Sequence, residues 1–309
     1  MPGIVIVGSF VVGITFGVSR MPAPGETLKG DTFDLGPGGK GTNQAIGAAR
    51  LGAEVNLLAC LGDDLFADMA LDVYAREGIL LEHIHRMPHI NTGVGVVTLL
   101  PSGENWIIGD YGANLQMTPE HVDRAEDLIA TSDIVLTQFE LAPETVARAM
   151  QLGRKHGALT IWNPAPAERV TAEFLANVDL LTPNETEVRI LLGLAPDDPT
   201  PTLELAHRLL DFGIERIVVT RGSQGALIVT PEGNEIVPAV DITVTDPTGA
   251  GDSFNGALAV GIGQGLPLRE AVRQANYAGG YMATHLGVID GLPTRAQLDA
   301  FMASAHLRS

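Results

Sequence analysis

The chain carries a single cysteine, Cys60, among its 309 residues. No intrachain disulfide can form, and nothing ties the protein to an oxidising compartment. Cys60 ends the apolar run Leu57-Leu58-Ala59 and reads as a buried small hydrophobe. Lysine is almost as scarce, with Lys29, Lys40 and Lys155 the only three, and the formal charge is −18. That balance excludes the basic footprint of general nucleic-acid binding, although a small phosphate site needs only local donors. Long apolar runs are missing too. No stretch approaches the ~20 apolar residues of a membrane helix. The first run, Ile4-Val5-Ile6-Val7, is a strand too short for a signal-peptide core, so a soluble cytoplasmic protein is expected. The segment after it, Gly8-Ser-Phe-Val-Val-Gly13, lacks the GxGxxG of a dinucleotide-binding turn, which disfavours a dehydrogenase. Internal repeats, low-complexity segments and charged tails are absent.

What is present is an alternation. Apolar strand candidates at 3–8, 55–60, 134–137, 159–162, 180–182, 216–220 and 226–229 are separated by amphipathic stretches. Those stretches lie at 43–51, 66–77, 143–155, 185–192, 202–212 and 268–285, and a last helix covers 295–305. This order predicts an α/β fold, a doubly wound, mostly parallel sheet with helices on both faces. With 45% hydrophobic residues the chain can bury a large core. Segments 10–36 and 91–113 break the pattern with β-branched alternation punctuated by Gly and Pro. They predict a small separate sheet placed as a lid, within one domain spanning 1–309.

Several motifs carry chemistry. In Asp246-Pro-Thr-Gly-Ala-Gly-Asp252, an apolar β-branched run at 242–245 ends at Asp246. Gly249, Ala250 and Gly251 make a turn with almost no side chains, and Asp252 opens an Ala/Gly-rich helix. A helix N-terminus offers unpaired N–H groups to an anion, and a carboxylate beside it can take a proton from an attacking hydroxyl. A structural turn followed by an N-terminal helix carboxylate is the alternative. Gly36-Pro-Gly-Gly-Lys-Gly-Thr-Asn-Gln-Ala45 is not a P-loop, because Gly41 follows Lys40 and Asp34 stands where the first glycine belongs. It still brings Lys40 for phosphate charge and Asn43 for a hydroxyl to a helix start. Asn184 and Glu187 share one face of a first helical turn, either as oxygen ligands around hydrated Mg²⁺ or as an N-cap and its N3 partner. Thr220-Arg-Gly-Ser-Gln-Gly225 suits phosphate or ribose contact, or is a plain hairpin turn. Asn163 and Glu140 follow strands at the end where open α/β sheets place ligands. His83, His85 and His89 alternate without supporting carboxylates or cysteines, and read as a strand with exposed imidazoles rather than a metal site.

In this order the motifs resemble the ribokinase-like carbohydrate kinases, the PfkB family. The match runs along essentially the whole chain through Pro24-Gly25-Glu26-Thr27, the 38–45 motif, Gly112-Ala113-Asn114, Asn163-Pro-Ala-Pro-Ala167, Thr182-Pro-Asn-Glu-Thr-Glu187 and the 246–252 motif. The resemblance implies a kinase that transfers phosphate from ATP to a primary hydroxyl of a sugar. Asp252 would be the general base, and the N–H groups of Gly249, Ala250 and Gly251 the anion hole. Gly39, Lys40, Asn43, Asn114 and Glu140 would line the sugar site. Asn184, Thr220, Gly222, Ser223, Gly225 and Asn276 would meet the nucleotide. Asn184 and Glu187 would organise Mg²⁺ through water. Asp246, the Thr248 carbonyl and carbonyls from Ala283 to Gly291 would surround a monovalent cation, K⁺. Two copies would associate as a homodimer through the β lid. One departure stands out: where the family has Gly-Ser-x-Asn-x-Asp, this chain has Val11 for the Asn and Gly13 for the Asp. Losing a carboxylate that grips hydroxyls argues against ribose and for a bulkier, less hydroxylated or differently oriented substrate. The family's nucleoside kinases tend to keep that Asp, so the change alone does not redirect the reading to nucleosides. Alternatives are a nucleoside or other alcohol kinase of the same fold, and a non-catalytic sugar- or nucleotide-binding regulator.

Overall fold

The structure is a computed structural model that describes residues 1–102 and 104–305. Its strands are β1 (Gly3–Val7), β2 (Val11–Gly17), β3 (Thr32–Gly38), β4 (Glu54–Leu61), β5 (Ile84–Arg86), β6 (Gly93–Leu99), β7 (Asn105–Asp110), β8 (Ile134–Thr137), β9 (Leu159–Trp162), β10 (Leu180–Leu181), β11 (Arg216–Thr220), β12 (Ala226–Thr230) and β13 (Gly233–Val237). Nine of them form one sheet in the order β13-β12-β11-β10-β9-β8-β1-β4-β5. It is parallel from β5 to β11, with β12 and β13 added antiparallel at one edge.

β1 shows why the run Ile-Val-Ile-Val is continuous rather than alternating. Ile4 and Ile6 enter one core, with helices Lys40–Arg50, Ala250–Gly263 and Leu268–Ala283. Val5 and Val7 enter the other, with helices Pro143–His156 and Thr202–Leu210. A strand covered on both faces must be apolar at every position. The sheet grows from β1 to β4 and β5 on one side, and the chain then crosses back to add β8 on the other, so the carboxyl ends of β1 and β8 border the crevice where open α/β sheets bind ligands.

The second sheet, β3-β2-β6-β7, comes from the two predicted excursions. β3 runs to Gly38, two residues beyond the expected segment, and residue 103 of the other segment lies outside the described residues. Its β2–β6 pair is parallel, and the outer pairs are antiparallel.

The apolar run at 242–245 has no regular secondary structure, and Val244 is exposed there. Two expectations are corrected. The helix expected from 43 starts at Lys40, because Gly39 takes φ 92 as its N-cap and turns the chain three residues earlier. The histidines are not a row of exposed rings: His83 and His85 are half-buried, His85 packs edge-on against His121 with centroids 5.0 Å apart, and His89 lies outside β5. Cys60 is buried in β4, and burial pushes its thiol up to about 12. Among the described residues no helix is long and apolar enough to cross a membrane.

Candidate active site

The turn before Asp252 is built by backbone bonds. The Thr245 and Asp246 N–H groups donate to the Ala283 carbonyl at 2.8 and 3.2 Å, and Asp246 Oδ1 accepts the Thr248 N–H at 2.9 Å. Gly249 follows with φ 80, and a Cβ there would lie 2.6 Å from Val288 Cγ1, so both conformation and packing require glycine. Val288 belongs to the short turn Val288–Gly291. That turn is held by Arg50, which donates to the Ile289 and Leu292 carbonyls at 2.7 and 2.8 Å while paired with Glu77.

The helix Ala250–Gly263 then starts without any side-chain cap. The expected anion hole changes in one member. The Ala250 N–H already donates to the Pro247 carbonyl at 3.1 Å, whereas the N–H groups of Gly249, Gly251 and Asp252 have no acceptor among the described residues. A helix start carries four orphan donors, and here three point at nothing in the chain.

Asp252 is buried in an amide network. Asn43 Nδ2 donates to its Oδ2 at 2.8 Å, and Gln44 Nε2 to its Oδ1 at 3.0 Å. Gln44 also reaches Asn163 Oδ1 at 3.0 Å and accepts from Gln138 Nε2 at 2.7 Å. Asn163 in turn donates to the Thr182 carbonyl at 2.9 Å. The two helices that carry these residues touch closely, because Gly256 lets the Gln44 carbonyl approach to 2.9 Å from where a Cβ would stand. Sequence reasoning placed Asn43 against a hydroxyl and missed Gln44 and Gln138. The available signal was two consecutive amides at the start of a helix facing the sheet. Asn43 Oδ1 and Gln138 Oε1 are buried without a partner among the described residues. An orphaned buried acceptor is costly unless a ligand or water meets it.

Lys40, Glu140 and Glu187 surround the same point. Glu140 accepts from Ser9 Oγ and, at 2.8 Å, from the Lys40 N–H. Burial raises its carboxyl above the usual range, and the Lys40 charge opposes that rise. Burial works to lower the Lys40 ammonium, but Asp252, Glu140 and Glu187 outweigh it and the net shift is upward. Asn184 and Glu187 form a reciprocal cap, with Glu187 N–H to Asn184 Oδ1 at 2.8 Å and Asn184 N–H to Glu187 Oε2 at 2.7 Å. The capping alternative is therefore real, and it leaves Glu187 Oε1 over. Burial pushes the Glu187 carboxyl up to about 7, against the Asn184 N–H and Lys40.

A cleft of about 310 Å³ opens beside the helix start. Thr220, Gly222, Ser223, Gly225 and Asn276 all line it, together with Ala250, Gly251 and Ala283. Val240, Ile242 and Phe254 make its walls apolar. The 220–225 loop is also the hairpin between antiparallel β11 and β12, and Gly225 is required there because a Cβ would strike the Val237 carbonyl at 2.1 Å. Asn276 reaches the cleft with its amide committed, since Nδ2 donates to the Val237 and Pro238 carbonyls at 3.0 and 2.9 Å.

Two expected site residues are overturned. Asn114 is fully buried, and its amide is spent on the Phe10 N–H and the Phe10 and Tyr111 carbonyls at 3.0, 2.8 and 2.8 Å. It pins the base of the small sheet and presents nothing to a substrate. The Ala283 carbonyl turns both lone pairs to the Thr245 and Asp246 N–H groups, so it does not fit as a cation ligand. Gly291 packs against Met282 and His285. Gly39 is glycine because Val11 N would lie 2.6 Å from its Cβ. Val11 and Gly13 pair with Gly38 and Gly36 in β3 and bring no hydrogen-bonding side chain.

The sequence pattern of the pfkB family carbohydrate kinases matches residues 1–295. The chain belongs to the PfkB family. It is 34% identical over 300 residues to ribokinase of Haemophilus influenzae, covering 97% of this chain and 98% of that protein. It is equally 34% identical over 301 residues to deoxyribokinase of Salmonella typhi, with the same coverage of 97% and 98%. Among solved structures, Arabidopsis thaliana ribokinase complexed with ribose and ATP superposes with a TM-score of 0.90 at 28% identity, covering 97% of this chain and 98% of that one. This PfkB protein is thus a carbohydrate kinase, a phosphotransferase, with the ribokinase-like fold of a large sheet and a small lid sheet.

Proposed function

We propose that this kinase transfers the γ-phosphoryl group of ATP to a primary hydroxyl of a sugar or sugar-like alcohol, with Asp252 as the general base. The observation that carries this reading is the position of one buried carboxylate. Asp252 stands at a helix start with open amides, between the apolar cleft and the orphaned Asn43 acceptor. The adenine and ribose of ATP would occupy the cleft, against Thr220, Gly222, Ser223 and Gly225, with Asn276 holding the wall rather than reading the base. Asn43 Oδ1 would accept from the acceptor alcohol and Lys40 would neutralise phosphate charge. In the reaction the hydroxyl proton passes to Asp252 while its oxygen bonds the γ-phosphorus. The bond from that phosphorus to the bridging oxygen breaks, and ADP leaves with the electron pair. The N–H groups of Gly249, Gly251 and Asp252 meet the charge that spreads over the transferring group.

Mg²⁺ fits the donor set: Glu187 has one free oxygen in a site that favours added positive charge, and such a hydrated ion needs few protein ligands. It would supply charge neutralisation across the phosphates. A monovalent cation is left with Asp246, the Thr248 carbonyl and Gly291 once Ala283 is set aside, and no step depends on it. The apolar face of the small sheet, where Phe33, Trp106 and Ile108 are 62%, 43% and 75% exposed, would be the surface for a second copy.

The test is ADP release across pentoses, hexoses, polyols, sugar acids and nucleosides, with and without K⁺. Acceptor-dependent ADP release is expected, with the phosphoryl group recovered as an ester of a primary hydroxyl. A chain that binds acceptors and releases no ADP with any of them is a binding protein and not this enzyme.

A further inference from the structure

The small sheet carries an unusual floor. Gly36, Gly13, Gly95 and Gly109 stand in register across all four strands, one in each of β3, β2, β6 and β7. In the next row on the same face, Val11 lies between Gly38 and Gly93. Six of these seven positions lack a side chain, which weakens a strand unless something requires it.

The fold itself does not require glycine at four of them. None of the six has positive φ. A Cβ on Gly36 or Gly109 would meet nothing within 4 Å, on Gly13 only the Gly36 carbonyl at 3.8 Å, and on Gly95 only Val11 Cγ1 at 3.6 Å. Strand-interior glycine marks a bulge, a bend or a close approach; the ladders here run without a bulge and no neighbouring backbone crowds these positions, which leaves approach by a body from outside the chain.

That body lies on the substrate side. Val11 N is the atom a Cβ on Gly39 would strike, and Gly39 opens the helix that carries Lys40 and Asn43. The Tyr111 carbonyl lies 3.1 Å from the Cβ position of Gly93, and the Tyr111 ring is near enough to feel Glu140 and Lys40. The opposite face packs on the body of the protein at its base, through Val12 and Ile14, and carries the exposed Phe33, Trp106 and Ile108 farther out. Strand spacing makes the glycine row about 14 Å long, with side-chain rows about 7 Å away along the strands. The N–H and C=O groups of the central strands are used in their ladders, so the floor offers flat peptide surface and one isopropyl group. The floor itself carries no side-chain hydrogen-bonding group.

We propose that Val11 and the glycines at 13, 36, 95 and 109 form a specificity floor for a planar ring carried by the acceptor, at the end remote from the phosphorylated hydroxyl. The substrate class is a pentosyl unit bearing a flat substituent, either a nucleobase or an aryl aglycone, in preference to the free sugar. This rests on the phosphotransferase reading above.

The experiment measures ADP-release kcat/KM with D-ribose, inosine and phenyl β-D-ribofuranoside, and the affinity for each by calorimetry, in wild type, Gly109→Val and Gly95→Ala. At least one ring-bearing compound is expected to exceed ribose by tenfold or more in kcat/KM and in affinity, and inosine against the phenyl compound tells nucleobase from aryl ring. Gly109→Val, a good strand former with open space at its Cβ, should fold and cut that ratio at least tenfold. Gly95→Ala repeats the test with one methyl group. A ratio below tenfold, or one that both variants leave intact, overturns the floor. Tight ring-dependent binding without ADP release keeps the floor and sinks the kinase reading instead.

Discussion

Gln44 Nε2 lies 3.0 Å from Oδ1 of Asp252 and 3.0 Å from Oδ1 of Asn163, so one amide ties the carboxylate to the carboxyl end of β9. With Asn43 on the other oxygen, Asp252 has one direction for each remaining lone pair, and the base cannot rotate without breaking a buried bond. Gln44→Leu should keep the volume and lose the aim. We expect kcat to fall about 10–100-fold with acceptor KM changed far less, because a misdirected base costs chemistry rather than binding. Three groups would lose a buried partner, at about 1–3 kcal/mol each. Steady-state kinetics together with urea unfolding separate the two effects, and a variant that loses only stability would show that Gln44 has no part in turnover.

Gly249 joins the helix start to Val288. Alanine there meets two penalties, about 1–2 kcal/mol for the left-handed backbone and a methyl 2.6 Å from Val288 Cγ1. Gly249→Ala should therefore lower stability and cut turnover by about tenfold or more as the open amides shift. Adding Val288→Ala removes the contact but not the backbone cost, so the double variant should recover part of the stability. Denaturant midpoints of the four proteins of this cycle check it, and additive single effects would contradict it.

Glu187 sets a pH dependence. Its carboxyl stands at about 7 in the folded chain against an ordinary 4.5, so between those values the folded state holds a proton that the unfolded state has released. Stability then falls as pH rises through that window, is fully present below 4.5, and has lost this contribution above about 7. Thermal melts of metal-free protein from pH 4 to 8 should show a steeper decline in wild type than in Glu187→Gln. Parallel curves would mean that the carboxyl titrates normally.

The sheet and its covering helices were legible because parallel strands buried on both faces must be apolar throughout, as Ile4-Val5-Ile6-Val7 is. The clustering of Lys40, Asn43, Glu140, Glu187 and Asp252 was legible too, since each falls at a strand or helix end on the ligand side of the sheet. What escaped depends on tertiary contacts. Asn114 looks like a site amide in sequence, yet Phe10 from β2's approach consumes it. The Ala250 amide is lost to Pro247, three residues back, through the particular turn taken by Gly249. The Gln44–Gln138–Asn163 network joins three segments far apart in the chain, and no local period announces it. The glycine floor needs strand register, which the sequence does not state.

Asp252 is assigned the removal of the acceptor's proton, and Asp252→Asn takes that base away. The fold should tolerate the change, because Asn43 Oδ1 is unpartnered and an amide flip turns it toward the new NH₂ group. Using the best acceptor from the ADP-release screen, turnover and calorimetric binding of acceptor and ATP are measured on wild type and variant. We expect kcat to fall by about 10²–10⁴ while both affinities stay within about tenfold. Turnover within about threefold of wild type would contradict it, since a base worth so little is not the base.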